Sequence, residues 1–223
     1  MKDLFIAGKK TMIQHFKRQK ASRWPMRAKL PGLLIASVLL AGCASEAQHA
    51  TLLDLGPQRT QASAASNNLP AVSVAEIHAP AWLDSQMMYY RLDYANDLQP
   101  RAYANSRWTM PPAQLFVQRF KSGWSRSGGV VIAAADGAIN VPILRLEADE
   151  FSQHFESAGK SYGEVAVRAS LFDGRILRAQ KMFVQRVPAS TADAQGGAAA
   201  LAAASDAVIT DMSTWLATLP PKR

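Results

Sequence analysis

The chain holds a single cysteine, Cys43, among its 223 residues. One thiol cannot form a disulfide within the chain, so the fold has to depend on an apolar core. Long apolar runs are also scarce: the run before this cysteine, Leu30 to Leu40, has about eleven residues, whereas roughly 20 are needed to cross a bilayer. These absences argue against a disulfide-stabilised scaffold and against an ordinary transmembrane segment.

An excess of charge of one sign is absent from most of the chain, although the net charge is +8. Residues 1–29 hold nine of the 25 basic residues and one of the 17 acidic residues, which leaves 25 − 9 = 16 basic and 17 − 1 = 16 acidic residues. The remaining basic residues are scattered and form no runs. Such a neutral segment is not expected to bind nucleic acid.

What is present is the three-part order of a secretory signal: a basic stretch, an apolar run and small residues. The sequence Leu40-Ala41-Gly42-Cys43 matches the bacterial lipobox, whose cysteine is acylated and becomes the first residue of the mature protein. We therefore predict a signal peptide over residues 1–42, lipidation of Cys43 and a lipidated tether over residues 43–50. The alternative interpretation is a buried cysteine behind a membrane segment.

Two features near this signal bear on its start and on sorting. Met26 precedes a short basic stretch and the apolar run, so either Met1 or Met26 can be the true start. Ala44 follows the cysteine, where many Gram-negative bacteria use Asp to retain a lipoprotein in the inner membrane. Its absence favours the periplasmic face of the outer membrane.

The remainder of the chain is predicted to form one domain over residues 51–223. Alternation and turn signals predict strands over residues 51–55, 71–77, 86–92, 130–134, 141–151, 165–171 and 175–187. We expect loops at 56–69 and 188–197, and a loop with a short edge strand at 93–107. Apolar side chains at helical spacing predict two helices, over residues 111–126 (Leu115, Phe116, Phe120, Trp124) and 198–219 (Leu201, Val208, Met212, Trp215, Leu219). The pattern indicates an α/β fold, a single layered domain with a mixed sheet packed with two main amphipathic helices.

Motifs that carry chemistry are weak in this sequence. Residues 158–161 resemble the end of a P-loop, but His154 stands where its first glycine should be. His154 lies near Asp149, Glu150 and Glu156, and we interpret this group as a charged surface and not as a metal or acid–base site. No Ser/His/Asp triad is selected by the sequence. We expect no catalytic site, no bound metal and no cofactor.

Aromatic residues make up only 8% of the chain but are concentrated between residues 82 and 108. Trp82, Tyr89, Tyr90 and Trp108 occur there with Arg91, and most of these side chains are expected to fill the core. An exposed subset of these five residues would suit a protein or lipid contact surface, because aromatic and arginine side chains often anchor interfaces.

Several short patterns together resemble a known family, the ABC-type transport auxiliary lipoproteins. They are the lipobox at Cys43, the strand at 51–55, Pro80-Ala81-Trp82-Leu83-Asp84, Tyr90-Arg91, the Arg107 to Pro112 helix start, Phe151, the Asp173-Gly174 hairpin, Phe183 and Trp215-Leu216-Ala217. Residues 94–107 are longer than is usual in the family.

This resemblance implies an α/β fold with a tendency to three layers and a non-enzymatic role. A member would be a lipid-anchored outer-membrane component of an MCE-type lipid transport system, including the paraquat-inducible type. Its partners would be an MCE-domain protein with its permease and ATPase, and a homo-oligomer is also possible. Two other interpretations remain open at this point: an outer-membrane activator of a peptidoglycan synthase, and an envelope hydrolase.

Overall fold

The computed structural model of the chain describes residues 49–58 and 69–220. The predicted signal peptide, Cys43 and most of the tether lie outside these residues. The strands are β1 Thr51–Leu53, β2 Val72–Val74, β3 Met87–Leu92, β4 Asn96–Trp108, β5 Val131–Ala133, β6 Ile143–Ser157, β7 Lys160–Asp173 and β8 Ile176–Pro188. The helices are α1 Pro112–Arg126 and α2 Ala194–Thr218, with a single 3-10 turn at Ala134–Asp136.

One mixed sheet of eight strands organises the domain. Strand β6 is its branch point: one edge pairs antiparallel with β7 along almost its whole length, and the other edge pairs in parallel with β2 at its start and β3 at its end. Beyond β3 lie β4 and β1, beyond β2 lies β5, and beyond β7 lies β8. This mixed sheet with its two helices confirms the predicted α/β fold class.

Both helices lie on the same face of this sheet. Helix α2 packs on β7 and β8, helix α1 packs on β5 and β6, and the two helices contact one another. The described residues therefore form two layers, and the tendency to three layers that the resemblance implied is not seen in them.

Local sequence explains where α1 begins and ends. Pro112 occupies its first turn, where the missing N–H costs no hydrogen bond, and Gly128 adopts a φ of +82° just after the helix. Its apolar stripe is buried as predicted, with Phe116, Phe120 and Trp124 fully shielded from solvent.

Helix α2 begins four residues earlier than predicted. The Asp193 side chain caps it by accepting a hydrogen bond of 2.7 Å from the Gly196 N–H, which lowers the pKa of this carboxyl. Leu201, Val208 and Met212 are buried as predicted, whereas Trp215 is only partly buried and packs edge-on against Phe183 at 5.6 Å.

The prediction for residues 93–107 was wrong. Instead of a loop with a short strand, the chain forms β4, a strand of 13 residues that pairs antiparallel with β3. Its sequence carries no apolar alternation because most of its side chains are exposed at a sheet edge, where Pro100 is also tolerated.

Within the described residues, no helix is both long and apolar enough to cross a membrane.

Candidate functional site

The sheet face opposite the helices, here called the open face, is covered by neither described helix. Strand alternation directs every second side chain of β6, β7 and β8 to it. Most of its charges are paired within the sheet: Arg168 with Glu147 (3.0 Å) and Asp149 (2.9 Å), Arg186 with Glu164 (2.7 Å) and Arg91 with Glu150 (3.4 Å). The open face therefore presents no charged patch of a single sign, and it also exposes the apolar side chains of Met182 and Val184 on β8.

A polar cluster at one end of the open face joins three strands. His154 on β6 places its Nδ1 3.0 Å from Oδ1 of Asp93 and its Nε2 3.2 Å from Oγ of Ser152. Tyr162 on β7 stacks on the His154 ring at 5.2 Å and donates a hydrogen bond of 3.1 Å to Asp93. This order of contacts is that of a catalytic Ser–His–Asp triad.

Burial argues against catalysis by this cluster. A nucleophile has to come within about 3–3.5 Å of the reacting atom of a substrate, but Ser152 is fully buried and only 11% of the His154 side chain is exposed. The cluster instead connects the end of β3 to β6 and β7 by hydrogen bonds. Burial, followed by the nearby Asp93 charge, raises the pKa of Tyr162 to about 12, so its hydroxyl remains a donor at neutral pH.

The acidic neighbours predicted for His154 have other partners. Asp149 pairs with Arg168, Glu150 with Arg91 and Glu156 with Lys160, whereas Asp93 arrives from a distant part of the chain. No sequence pattern points to Asp93, because its approach to His154 depends on the parallel register of β3 and β6. Among the described residues, no group of His, Cys, Asp and Glu side chains is arranged to hold a metal ion.

A second polar site lies between the two helices. Arg119 on α1 makes a bidentate contact with Asp206 on α2, both bonds at 2.7 Å, and donates to the carbonyl oxygens of Leu55 (2.8 Å) and Gly56 (2.9 Å). Only 6% of the Arg119 side chain is exposed. This residue, which the sequence analysis missed, connects both helices to the segment that follows β1, beside a cavity of about 280 Å³.

The five residues predicted to form a contact surface separate into three groups. Trp82, Tyr89 and Arg91 come together: the Trp82 and Tyr89 rings meet edge-on at 5.3 Å, and the Arg91 guanidinium lies 5.4 Å from the Trp82 ring. All three are partly exposed. We call these three residues the aromatic corner.

The other two residues lie elsewhere. Tyr90 faces the opposite side of β3 and packs on Tyr103 (4.7 Å) and Phe155 (5.6 Å). Trp108 is fully buried against Phe151 at 5.8 Å. The prediction of Trp108 as a contact residue is therefore corrected: it belongs to the core.

Comparison with known proteins gives one family match. The sequence model for the ABC-type transport auxiliary lipoprotein component matches residues 52–213. No curated protein matches the chain.

Two solved structures share the fold. A DUF330-family protein from Xanthomonas campestris is 16% identical, with a TM-score of 0.58 over 77% of this chain and 87% of that chain. An uncharacterized protein is 15% identical, with a TM-score of 0.60 over 75% of this chain and 98% of that chain. At these identities, the similarity extends to the fold alone.

Proposed function

We propose, from the premise that this chain belongs to the family of ABC-type transport auxiliary lipoprotein components, that it is a lipid-anchored, non-enzymatic subunit of an MCE-type lipid transport system. It would lie on the periplasmic face of the outer membrane of a Gram-negative bacterium. There it would dock an MCE-domain protein, whose permease and ATPase supply the energy. The family match over residues 52–213 is the observation that carries this proposal.

The structure supports a docking role over a catalytic one. The one triad-like cluster of the described residues is closed to substrate, and most charges of the open face are paired within the chain. A surface without a charge patch has little means of steering a partner electrostatically. Docking would then depend on apolar and aromatic contacts, which the aromatic corner offers.

The predicted anchor limits how far this domain can reach. With acyl chains on Cys43, eight residues separate the lipid from Thr51, and even fully extended they span no more than about 26–29 Å. Two or three acyl chains, at about 0.8 kcal/mol per buried methylene, would hold the protein at the membrane almost permanently. A partner therefore has to come to the membrane surface to be bound.

Co-purification tests the proposal. The lipoprotein, extracted in detergent with a C-terminal affinity tag, should recover the MCE-domain protein together with its permease. Recovery of a peptidoglycan synthase without any MCE-domain protein would contradict the transport role and favour the alternative.

The docking surface is tested by substitution. Trp82→Ala and Tyr89→Ala should each weaken co-purification about tenfold, or about 1.4 kcal/mol, because each removes one ring of the aromatic corner. Ile176→Ala is the control, since this side chain is 72% exposed on β8 at another edge of the sheet. If both variants bind normally per folded molecule, the docking surface lies elsewhere.

A further inference from the structure

Strand β8 is an edge strand of the sheet. Its residues Ile176–Pro188 pair antiparallel with β7, and among the described residues no strand pairs with its outer edge. A long edge strand presents a row of unpaired N–H and C=O groups, which can pair with a strand from another chain. The outer edge of β8 is therefore open to strand addition.

Apolar side chains flank this outer edge on both faces of the sheet. On the open face, Met182 and Val184 are 40% and 48% exposed. On the helix face, Phe183 is buried against Trp215 of α2, which itself remains partly exposed. A partner that adds both a strand and a covering helix would bury all of these side chains.

The sequence of β8 is complementary to itself. Opposite residues of an antiparallel pair lie on the same face of the sheet, so two copies related by a two-fold axis must pair around a central residue. With Phe183 at the centre, Met182 would lie opposite Val184 of the second copy, and Val184 opposite Met182. The regular part of β8, from the register shift before Ala179 to Val187, would then be paired throughout.

Neighbouring registers are less favourable. Centring the pair on Lys181 would place this lysine opposite its own copy. Centring it on Met182 would place Arg178 opposite Arg186, and like charges directly opposite one another destabilise a sheet. A centre one residue beyond Phe183 would bring Pro188, which has no N–H, into the ladder.

The charges on the helix face are complementary in the register centred on Phe183. Lys181 would face the neutral Gln185 of the second copy, and Gln185 donates a hydrogen bond of 2.6 Å to Asp211 on its own α2. Neither Lys181 nor Asp211 forms an ion pair with another described residue. The pairing would bring this cation close to that carboxylate across the two-fold axis.

The position of α2 also suits a second copy. Helix α2 contacts both β7 and β8. Because neighbouring strands are about 4.8 Å apart, a helix axis above the middle of this strand pair would lie two strand spacings, about 10 Å, from its copy. Packed helices lie about 8–10 Å apart, so the two copies of α2 would cover the exposed part of each Trp215.

We infer that β8 pairs with β8 of a second copy about a two-fold axis at Phe183, joining two eight-stranded sheets into one. An interface of this kind uses the same surface on both copies and closes at a dimer. The dimer does not depend on the transport role, because residues of β8 and α2 alone form it.

Sedimentation velocity of the full lipoprotein in a density-matched non-ionic detergent measures the association. The unchanged protein should be a dimer. Val184→Asp should weaken dimerisation at least about tenfold, because it buries a carboxylate against apolar side chains without a cation. Leu98→Asp is the control, since Leu98 is 85% exposed on β4, which is separated from β8 by three strands. A monomer of the unchanged protein, or an equal loss in both variants, would overturn the inference.

A second substitution tests the register. Met182→Lys added to Val184→Asp should restore the dimer, because an ammonium lies opposite each carboxylate when Phe183 is the centre. Met182→Lys with Leu98→Asp carries the same net charge without that pairing and should stay dissociated. Melting curves establish that each variant is folded. Failure of the first double variant to dimerise would refute this register.

Cysteine cross-linking gives a readout that needs no charged variant. Opposite residues place their Cβ atoms about 4.5–5.5 Å apart, close to disulfide distance. Differently tagged Met182→Cys and Val184→Cys lipoproteins, mixed and mildly oxidised, should form a disulfide-linked heterodimer. Gln180→Cys mixed with Val184→Cys should form much less, and preferential cross-linking of this second mixture would show that Phe183 is not the centre. The parent protein, whose one thiol is expected to be acylated, is the control.

A different occupant of the edge would give a different result. A monomer that loses the MCE-domain protein in Val184→Asp and keeps it in Leu98→Asp would assign β8 to that partner and refute the dimer. A dimer that recovers no MCE-domain protein would refute the transport role alone.

Discussion

Tyr162 makes three different contacts at the junction of β3, β6 and β7. Its ring stacks on His154, its hydroxyl donates a hydrogen bond to Asp93, and the Arg186 guanidinium lies over its ring in a cation–π contact. The hydroxyl can donate only while it is protonated, and this requirement couples its contacts to pH.

Tyr162→Phe should therefore change the alkaline stability of the protein. The pKa of Tyr162 is raised from 10.0 to about 12, so folding favours its neutral form. That stabilisation is complete below pH 10 and is lost as the pH rises from 10 to about 12. Urea unfolding across this range should show a shallower decline in the variant, though not a flat one, because burial also raises the pKa of Tyr103. An unchanged decline would contradict the assignment.

Single residues also show where sequence reasoning reaches its limit. Gly174 adopts a φ of +57° in the turn between β7 and β8, and the dipeptide Asp173-Gly174 predicted that turn because the requirement is local. The contact of His154 with Asp93 joins positions 61 apart along the chain. It depends on strand register, and no local pattern specifies that register.

Among the elements, the two helices bury their predicted faces to different depths. Phe120→Ala should cost about 3–5 kcal/mol of unfolding free energy, because the ring is fully buried. Trp215→Ala should cost clearly less, since Trp215 lies partly exposed at the rim of α2. Urea titrations measure both values. An equal or larger loss for Trp215→Ala would mean that the packing of α2 is assigned wrongly.

The contact between the helices gives a second test. Arg119→Met should cost about 3–5 kcal/mol, because it leaves the Asp206 carboxylate without its cation. The double variant Arg119→Met with Asp206→Leu should recover part of this loss, since neither charge is then left buried. Gln118→Met is the control on an exposed position of the same helix. Failure of the second substitution to recover any stability would show that the carbonyl contacts dominate.

The elements predicted from sequence are those whose signals are local. Helix α1 has its proline start and apolar stripe, and the β7–β8 hairpin has its turn. Strand β4 has neither, because it is held by pairing with β3 and most of its side chains face solvent. The Arg119 contact was missed for a similar reason: an arginine on an apolar helix face gives no sign of which carboxylate it will meet.

For the whole molecule, the predicted lipidation of Cys43 would decide where the protein resides. Cys43→Ser should yield an unprocessed or soluble species, because the serine cannot accept the thioether-linked lipid. Membrane fractionation and gel mobility measure both outcomes. A variant of normal size that still fractionates with the outer membrane would refute the lipoprotein prediction.

If Cys43 carries the predicted lipid, any mechanical load between the membrane and a bound partner would enter the domain through β1. That strand has three residues, which pair in parallel with β4 from Ser106 to Trp108. A pull along the strand loads these few hydrogen bonds at the same time. The hydrogen bonds from Arg119 to the carbonyl oxygens of Leu55 and Gly56 carry the rest of the load. Rupture under force would then begin at the anchor end, while the long β6–β7–β8 hairpins remain intact.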